Sequence, residues 1–65
     1  MTTSNPVLTM NCLNIEAMIR VMVMTGITDN AKLVEAVDNI YQPSTREEQE
    51  LYSEAIIFAK QGVLN

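Results

Sequence analysis

The stretch Ala17-Met18-Ile19-Arg20-Val21-Met22-Val23-Met24 decides the fold, because seven of its eight residues are apolar. A helix built from it has apolar side chains nearly all round, and helices of this kind are buried in folded proteins. The chain has only 65 residues, and a domain of this size buries only about 60% of the surface that its unfolded form exposes. The stretch therefore predicts a helix that needs cover from a partner as well as from its own chain.

The size and composition of the chain favour self-association. Small domains usually gain stability from disulfides, a structural metal or oligomerisation. Cys12 is the only cysteine and there is no histidine, which excludes an intrachain disulfide and the usual thiolate–imidazole metal sites. We therefore expect no cofactor and no metal, and we predict a homodimer or a higher homo-oligomer, in agreement with an apolar content of 48%.

The charge balance is acidic, with eight carboxylates against Arg20, Lys32, Arg46 and Lys60. Binding to nucleic acid depends on contacts between Lys or Arg and phosphates, so this balance disfavours nucleic acid without excluding it. The apolar run stops at Gly26, short of the roughly 20 residues that a membrane-spanning helix needs. No positive charge precedes an apolar run at the N-terminus, as it would in a secretory signal. We expect a cytoplasmic protein with no membrane partner.

Residues 7–12 leave three interpretations open, namely a strand, an irregular segment that leads into the first helix, and an early helical turn. Polar and apolar residues alternate from Leu8 to Cys12, as in a half-buried strand. The same residues can also form early turns of a helix, with Asn5 as the N-cap and Pro6 at the first helical position.

The first predicted helix spans about residues 12–25, after a flexible tail at residues 1–6. It begins near Asn11 or Asn14, of which Asn14 is a good N-cap. It ends at Gly26, because glycine adopts the left-handed conformation that closes many helices.

Two further helices are predicted at about residues 29–42 and 45–61. The second is capped by Thr28 or Asp29 and stops before Pro43, since the residue before a proline is biased away from the helical conformation. The third begins with Ser44-Thr45-Arg46-Glu47, which we interpret as a capping box, and ends at Gly62.

The apolar positions of these two helices predict the core. They are Leu33, Val37 and Ile40 in the second helix, and Leu51, Ala55, Phe58 and Ala59 in the third. We expect Tyr41 and Tyr52 at the rim of the core, with their hydroxyls in water. The predicted fold is mainly α, a compact three-helix domain over residues 7–65 that assembles as a dimer, with one short N-terminal strand as the open alternative.

No group of side chains in the sequence predicts catalysis. Without histidine, neither the serines nor Cys12 has the usual activating base. Glu47, Glu50 and Glu54 share one side of the third helix, and we interpret them as its solvated face. We therefore expect a protein that is not an enzyme.

The methionines of the first helix indicate how the protein acts. Methionine fills irregular gaps in cores and is also common on adaptable binding surfaces. The second and third helices can cover two sides of the first, which leaves a strip of about a third of its circumference. We predict the partner or dimer interface at Met18, Val21, Met22, Val23 and Met24. The function expected is that of a small regulatory or adaptor protein, for example an inhibitor, that acts by association with another protein.

One stretch resembles a known family. Gly26-Ile27-Thr28-Asp29-Asn30-Ala31-Lys32-Leu33-Val34-Glu35-Ala36-Val37 is similar to the turn and second helix of ribbon-helix-helix proteins. The matching positions are Gly26, Thr28, Leu33, Ala36 and Val37, and the resemblance extends over about residues 7–41. It implies that Leu8-Thr9-Met10 form a ribbon, that Ile15, Met18 and Met22 face inward, and that an interlocked dimer inserts its paired ribbons into the DNA major groove. A DNA-binding transcriptional regulator is therefore the alternative function.

Overall fold

The computed structural model describes residues 5–65, which form three α-helices: α1 at Pro6–Met24, α2 at Asn30–Tyr41 and α3 at Arg46–Leu64. No strand lies within this range. The prediction of a mainly α, three-helix fold is confirmed. Of the tail predicted at residues 1–6, the first four residues lie outside the described range. Asn5 and Pro6 belong to the start of α1.

A proline and an asparagine cap place the start of α1 earlier than predicted. The side-chain oxygen Oδ1 of Asn5 accepts hydrogen bonds from the backbone N–H groups of Val7 at 3.0 Å and Leu8 at 3.4 Å. Pro6 occupies the first helical position, where its missing N–H is not needed. The helical interpretation of residues 7–12 is therefore confirmed, and the strand interpretation is wrong.

The alternation over residues 7–12 arises because a short apolar pattern fits both periods. Leu8 and Cys12 are four residues apart, so in a helix they lie on one face, and both pack against the core. The N-cap predicted at Asn11 or Asn14 is also wrong, because both residues lie inside α1.

α1 ends in a Schellman motif at Gly26, as the sequence predicts. Gly26 has a φ of 100°, in the left-handed region that favours glycine. Its N–H donates to the carbonyl of Val23 at 3.0 Å, and the N–H of Ile27 donates to the carbonyl of Met22 at 2.9 Å. These two bonds satisfy carbonyls that the helix end would otherwise leave unpaired.

α2 begins at an aspartate cap and ends against a proline. Oδ1 of Asp29 accepts from the N–H of Ala31 at 3.0 Å, so Asp29 rather than Thr28 is the cap. At the other end Gln42 adopts a left-handed conformation with a φ of 47°, directly before Pro43.

A lysine of α3 ties down the loop before α2. Nζ of Lys60 donates to the carbonyl of Thr28 at 2.7 Å and to Oδ1 of Asn30 at 2.9 Å. These bonds span about thirty positions of sequence and hold the start of α2 beside α3.

The N-cap of α3 lies one residue later than predicted, and only one of the two bonds of a capping box is formed. Thr45 is the N-cap, and its Oγ1 accepts from the N–H of Glu48 at 3.1 Å. Oε1 of Glu48 accepts from the hydroxyls of Thr45 at 3.1 Å and Ser44 at 3.2 Å. Both Ser44 and Thr45 have a glutamate three residues later, and Glu48 is the one that reaches both hydroxyls.

The prediction that Gly62 ends α3 is wrong, since the helix continues to Leu64. Gly62 does not have the positive φ of Gly26. Val63 packs against the core, and this burial favours continuing the helix past a residue of low helix propensity.

The core lies mainly between α1 and α3, while α2 makes fewer contacts with each. The buried residues are Ile15, Ile19, Val23, Leu33, Val37, Tyr52, Ala55, Ile56 and Ala59. Ala55 and Ala59 are small enough for the two long helices to approach closely. Tyr52 is also buried, and its hydroxyl accepts a 2.9 Å hydrogen bond from Nδ2 of Asn11. The rim position predicted for Tyr52 is therefore wrong.

Two residues predicted in the core point outward. Phe58 is 66% exposed and Ile40 is 61% exposed. The buried face of α3 is centred on Tyr52, Ala55, Ile56 and Ala59, and Phe58 lies about 100° away from it around the helix. The sequence shows that α3 has an apolar side, but the alanines decide which part of that side meets α1.

We predict opposite effects of alanine at the two glycines. Gly26→Ala should lower the free energy of unfolding by about 1 kcal/mol, because alanine is disfavoured at positive φ. Gly62→Ala should raise it by about 0.5–1 kcal/mol, because alanine is the better helix former. No atom would lie within 4 Å of the added Cβ at either position, so backbone conformation alone sets the sign. Urea unfolding followed by circular dichroism measures both, and a loss of stability in Gly62→Ala would contradict the helical conformation of Gly62.

Candidate interaction site

α1 has apolar side chains on two opposite sides. Ile15, Ile19 and Val23 form the buried side. The other side, here called the outer stripe, faces solvent. Its residues are Met10, Leu13, Ala17, Val21 and Met24. The four large side chains among them are each more than half exposed, and Ala17 is exposed as well.

The outer stripe is continuous along the helix. Its members follow one another at spacings of three, four, four and three residues. With 100° per residue they fall within about 80° of the helix circumference and extend for about 21 Å along its axis. Asn14 and Arg20 border it on either side. Such a row of large apolar side chains differs from the single exposed apolar residues that are normal on protein surfaces.

The dimensions of the molecule explain why this side is bare. Its shortest extent, measured on Cα atoms, is 14 Å. Two helices packed about 9–10 Å apart, each with a Cα radius of about 2.3 Å, have this thickness. A molecule two helices thick cannot surround any of its helices, so α1 keeps one side in solvent.

The charges of α1 balance each other. Glu16 and Arg20 are the only charged residues of this helix, and Oε1 of Glu16 lies 3.9 Å from Nη1 of Arg20. The pair is partly exposed, so it contributes little to stability. The whole net charge of −4 therefore lies on α2, α3 and the connecting segments.

The structure divides the five residues predicted for the interface. Val21 and Met24 lie on the outer stripe, 61% and 74% exposed. Met18 and Met22 are half-buried and pack against the core, and Val23 is part of it. Val23 therefore serves the intramolecular core, and a substitution there reports on folding rather than on association.

Sequence reasoning missed Met10, Leu13 and Ala17. Met10 was left out because the first helix was expected to begin near residue 12. Starting the helical wheel at Pro6 adds Met10 to the same side as Val21 and Met24, and the Asn5-Pro6 start signal could have found it. Leu13 and Ala17 lie within the predicted helix, but the sequence does not show that α3 packs on the opposite side of it.

Other surface features offer little chemistry. A cleft of about 400 Å³ lies between α2 and α3, with Asp38 as its only ionisable lining side chain apart from Tyr52. The predicted solvated face of α3 is exposed, and Oε2 of Glu50 accepts from Nε of Arg46 at 3.1 Å. In residues 5–65, no three His, Cys, Asp or Glu side chains are grouped so that they could hold a metal ion.

Cys12 is half-buried between α1 and α3, and its Sγ lies 4.0 Å from the carbonyl oxygen of Leu51. Desolvation by burial, together with the negative charges of Glu16 and Glu54, raises the pKa of its thiol above the ordinary value of 9.0. The thiolate is the reactive form of cysteine. This environment is therefore the opposite of one that activates a nucleophile.

α1 is long and apolar enough to cross a membrane by length and composition alone, with 19 residues and a mean hydropathy of 1.4 over an 18-residue window. The length argument that the sequence suggested against a spanning helix is thus wrong, since the helix begins at Pro6. The core helix of a soluble protein passes the same test, so the observation by itself is weak.

No protein-family model, curated protein or solved structure matches this chain. The resemblance to ribbon-helix-helix proteins therefore stays a prediction. The segment to which it assigns the ribbon, residues 7–12, is helical in the single chain.

We predict that glutamate substitutions on the two opposite sides of α1 have very different effects on the free energy of unfolding. Val23→Glu should lower the free energy of unfolding by more than about 3 kcal/mol, because it buries a charge without a partner. Val21→Glu should change it by less than about 0.5 kcal/mol, as is usual for surface substitutions. Urea unfolding measures the free energy of unfolding of both variants. The protein concentration is kept low enough that light scattering gives the mass of a monomer. A comparable loss in the two variants would place Val21 in the intramolecular core.

We predict that Cys12 reacts slowly with iodoacetamide. At pH 8 the folded protein should be alkylated more slowly than the chain in urea, because the raised pKa of Cys12 lowers its thiolate fraction. The rate should rise with pH to a higher midpoint than that of the unfolded chain. Because the pKa of the thiol is higher in the folded protein than in the unfolded chain, the free energy of unfolding should decrease as the pH rises above about 9. Equal midpoints in both states would contradict the environment described.

Proposed function

We propose that this protein is a small, non-catalytic regulatory or adaptor protein that acts by binding another protein surface through the outer stripe of α1. The observation that carries the proposal is the stripe itself, with four large apolar side chains exposed in one row. A helix face of this kind is how amphipathic helices enter grooves or pair with other helices.

The energetics of the chain support this proposal. Exposed apolar rows favour association, because each large side chain gains about 1.5–3 kcal/mol when it is fully removed from water. Two of the four large residues are methionines, whose flexible side chains adapt to the shape of a partner. The exposed side chains of the outer stripe add nothing to the stability of the single chain. That stability comes from the opposite, buried side of α1.

The chemical inventory supports a non-catalytic role. The chain has no histidine, and the pKa of its one thiol is raised rather than lowered. What the surface of α1 does offer is shape and apolar area, which serve binding.

DNA binding is the weaker alternative. It needs a ribbon formed by residues 7–12 and a supply of basic side chains near phosphates. That segment is helical in the single chain, and the net charge is −4. Titration with generic duplex DNA at low salt tests this alternative function. Binding that weakens steeply as salt is added would favour the regulator.

We expect a glutamate in the stripe to abolish partner binding. The tagged chain is used for affinity capture in its native host, and each captured protein is then purified and tested for direct binding. Val21→Glu should lower the affinity at least about 100-fold, because it places an unpaired charge in an apolar interface. Ile57→Glu is the matched control, since Ile57 is a similarly exposed apolar residue on α3. The proposal fails if both variants bind as the unmodified chain does, or if the unmodified chain binds no protein at all, itself included.

A further inference from the structure

We propose that the occupant of the outer stripe is a second copy of this chain, whose α1 packs antiparallel to the first across a two-fold axis at Ala17. This inference rests on the proposed function and names the partner of the same surface.

The spacing of the stripe is symmetric about Ala17. Leu13 and Val21 lie four residues on either side of it, and Met10 and Met24 lie seven residues on either side. A two-fold interface uses the same patch on both subunits, so that residue i contacts residue j and j contacts i. An antiparallel pair centred on Ala17 therefore places Leu13 against Val21 of the second copy, and Met10 against Met24.

The sizes of the side chains suit this arrangement. The smallest member, Ala17, lies at the centre, where two helix axes come closest, and small side chains at the contact allow an interaxial distance near 8 Å. The long, flexible methionines lie at the two ends, where packed helices diverge and gaps are largest. The pairing would cover about 21 Å of each helix.

The distribution of charge points to the same face. α1 is neutral, and the net charge of −4 per chain lies elsewhere. Two copies that meet through α1 keep their excess carboxylates on the far sides, whereas contacts through α2 or α3 would bring like charges together.

The exposed apolar residues of α3 do not form a comparable surface. Ile57 and Leu64 lie on a different side of the helix from Phe58, so the three do not join into one row. Phe58 lines a groove with Glu16 and Glu54, so a second copy docked there would have to desolvate carboxylates. The outer stripe, in contrast, has no charged member.

Sedimentation equilibrium tests whether a second copy of the chain binds. The unmodified chain should be a dimer at micromolar concentration, and Val21→Glu should raise the dimer Kd at least about 100-fold. Ile57→Glu, the control on α3, should leave the Kd within about threefold. Circular dichroism checks that each variant is folded. A chain that stays monomeric at high micromolar concentration would overturn the inference.

Cross-linking tests the antiparallel register, in a Cys12→Ser background. Ala17→Cys should form a disulfide-linked dimer. The larger cysteine side chain sets the helix axes about 9–10 Å apart, and the two facing Cα atoms then lie about 4.4–5.4 Å apart, within the range that a disulfide needs. Met10→Cys should not cross-link with itself, since its copies would lie about 21 Å apart along the axis. A mixture of Met10→Cys and Met24→Cys should give the mixed dimer. Self-linking of Met10→Cys would indicate parallel helices and overturn the register.

The outcomes separate this inference from the proposed function. A monomer that captures another protein, and loses it in Val21→Glu, would refute the second copy and keep the proposed function. A monomer that binds no protein refutes both. If such a monomer floats with phosphatidylcholine vesicles, and Val21→Glu does not, the occupant of the stripe is a membrane.

Discussion

The packing of α1 against α3 is the contact on which the rest of the structure depends. Ile15, Ile19 and Val23 of α1 meet the side of α3 that carries Ala55 and Ala59. These two alanines let the helices approach closely, and this approach turns Phe58 outward. α2 adds Leu33 and Val37 to the core and is held at its start by Lys60. Apolar packing thus joins all three helices, and hydrogen bonds from Lys60 and Asn11 add to it.

This contact uses only one side of α1. A chain of 65 residues can build one pair of long helices and one short one, and that assembly is two helices thick. α1 is apolar on both sides, and within residues 5–65 nothing covers its second side. Evolution usually places polar residues on such a solvated side, and here Asn14 and Arg20 reach only its borders. Because the structure is only two helices thick, the outer stripe stays in solvent.

Much of the fold could be predicted from the sequence, and the errors have physical causes. Three helices, the Gly26 ending and the stop before Pro43 follow from periodicity and turn chemistry. The strand interpretation of residues 7–12 failed because six residues cannot distinguish period two from period 3.6 when Leu8 and Cys12 satisfy both. The prediction that α3 ends at Gly62 was wrong because the burial of Val63 outweighs the low helix propensity of one glycine.

The candidate site was predicted only in part for a related reason. That α1 needs cover beyond its own chain follows from its composition, but which side lacks cover depends on where α3 packs. Val23 and Val21 are chemically the same in the sequence, and the structure assigns one to the core and the other to the surface. Met10 was missed because the start of the helix was placed too late. A helical wheel shows the stripe only when it begins at the correct residue.

The neutrality of α1 links stability to association. An acidic chain repels its own copies, and this repulsion keeps small proteins soluble and monomeric. The excess carboxylates lie on α2 and α3, so two copies repel each other least when they approach through α1. Any association is therefore directed to the face of α1. A partner that binds the folded state and not the unfolded one stabilises the fold in proportion to its concentration. In the proposed dimer, the exposed stripe, which adds nothing to the stability of the single chain, would stabilise the fold in this way.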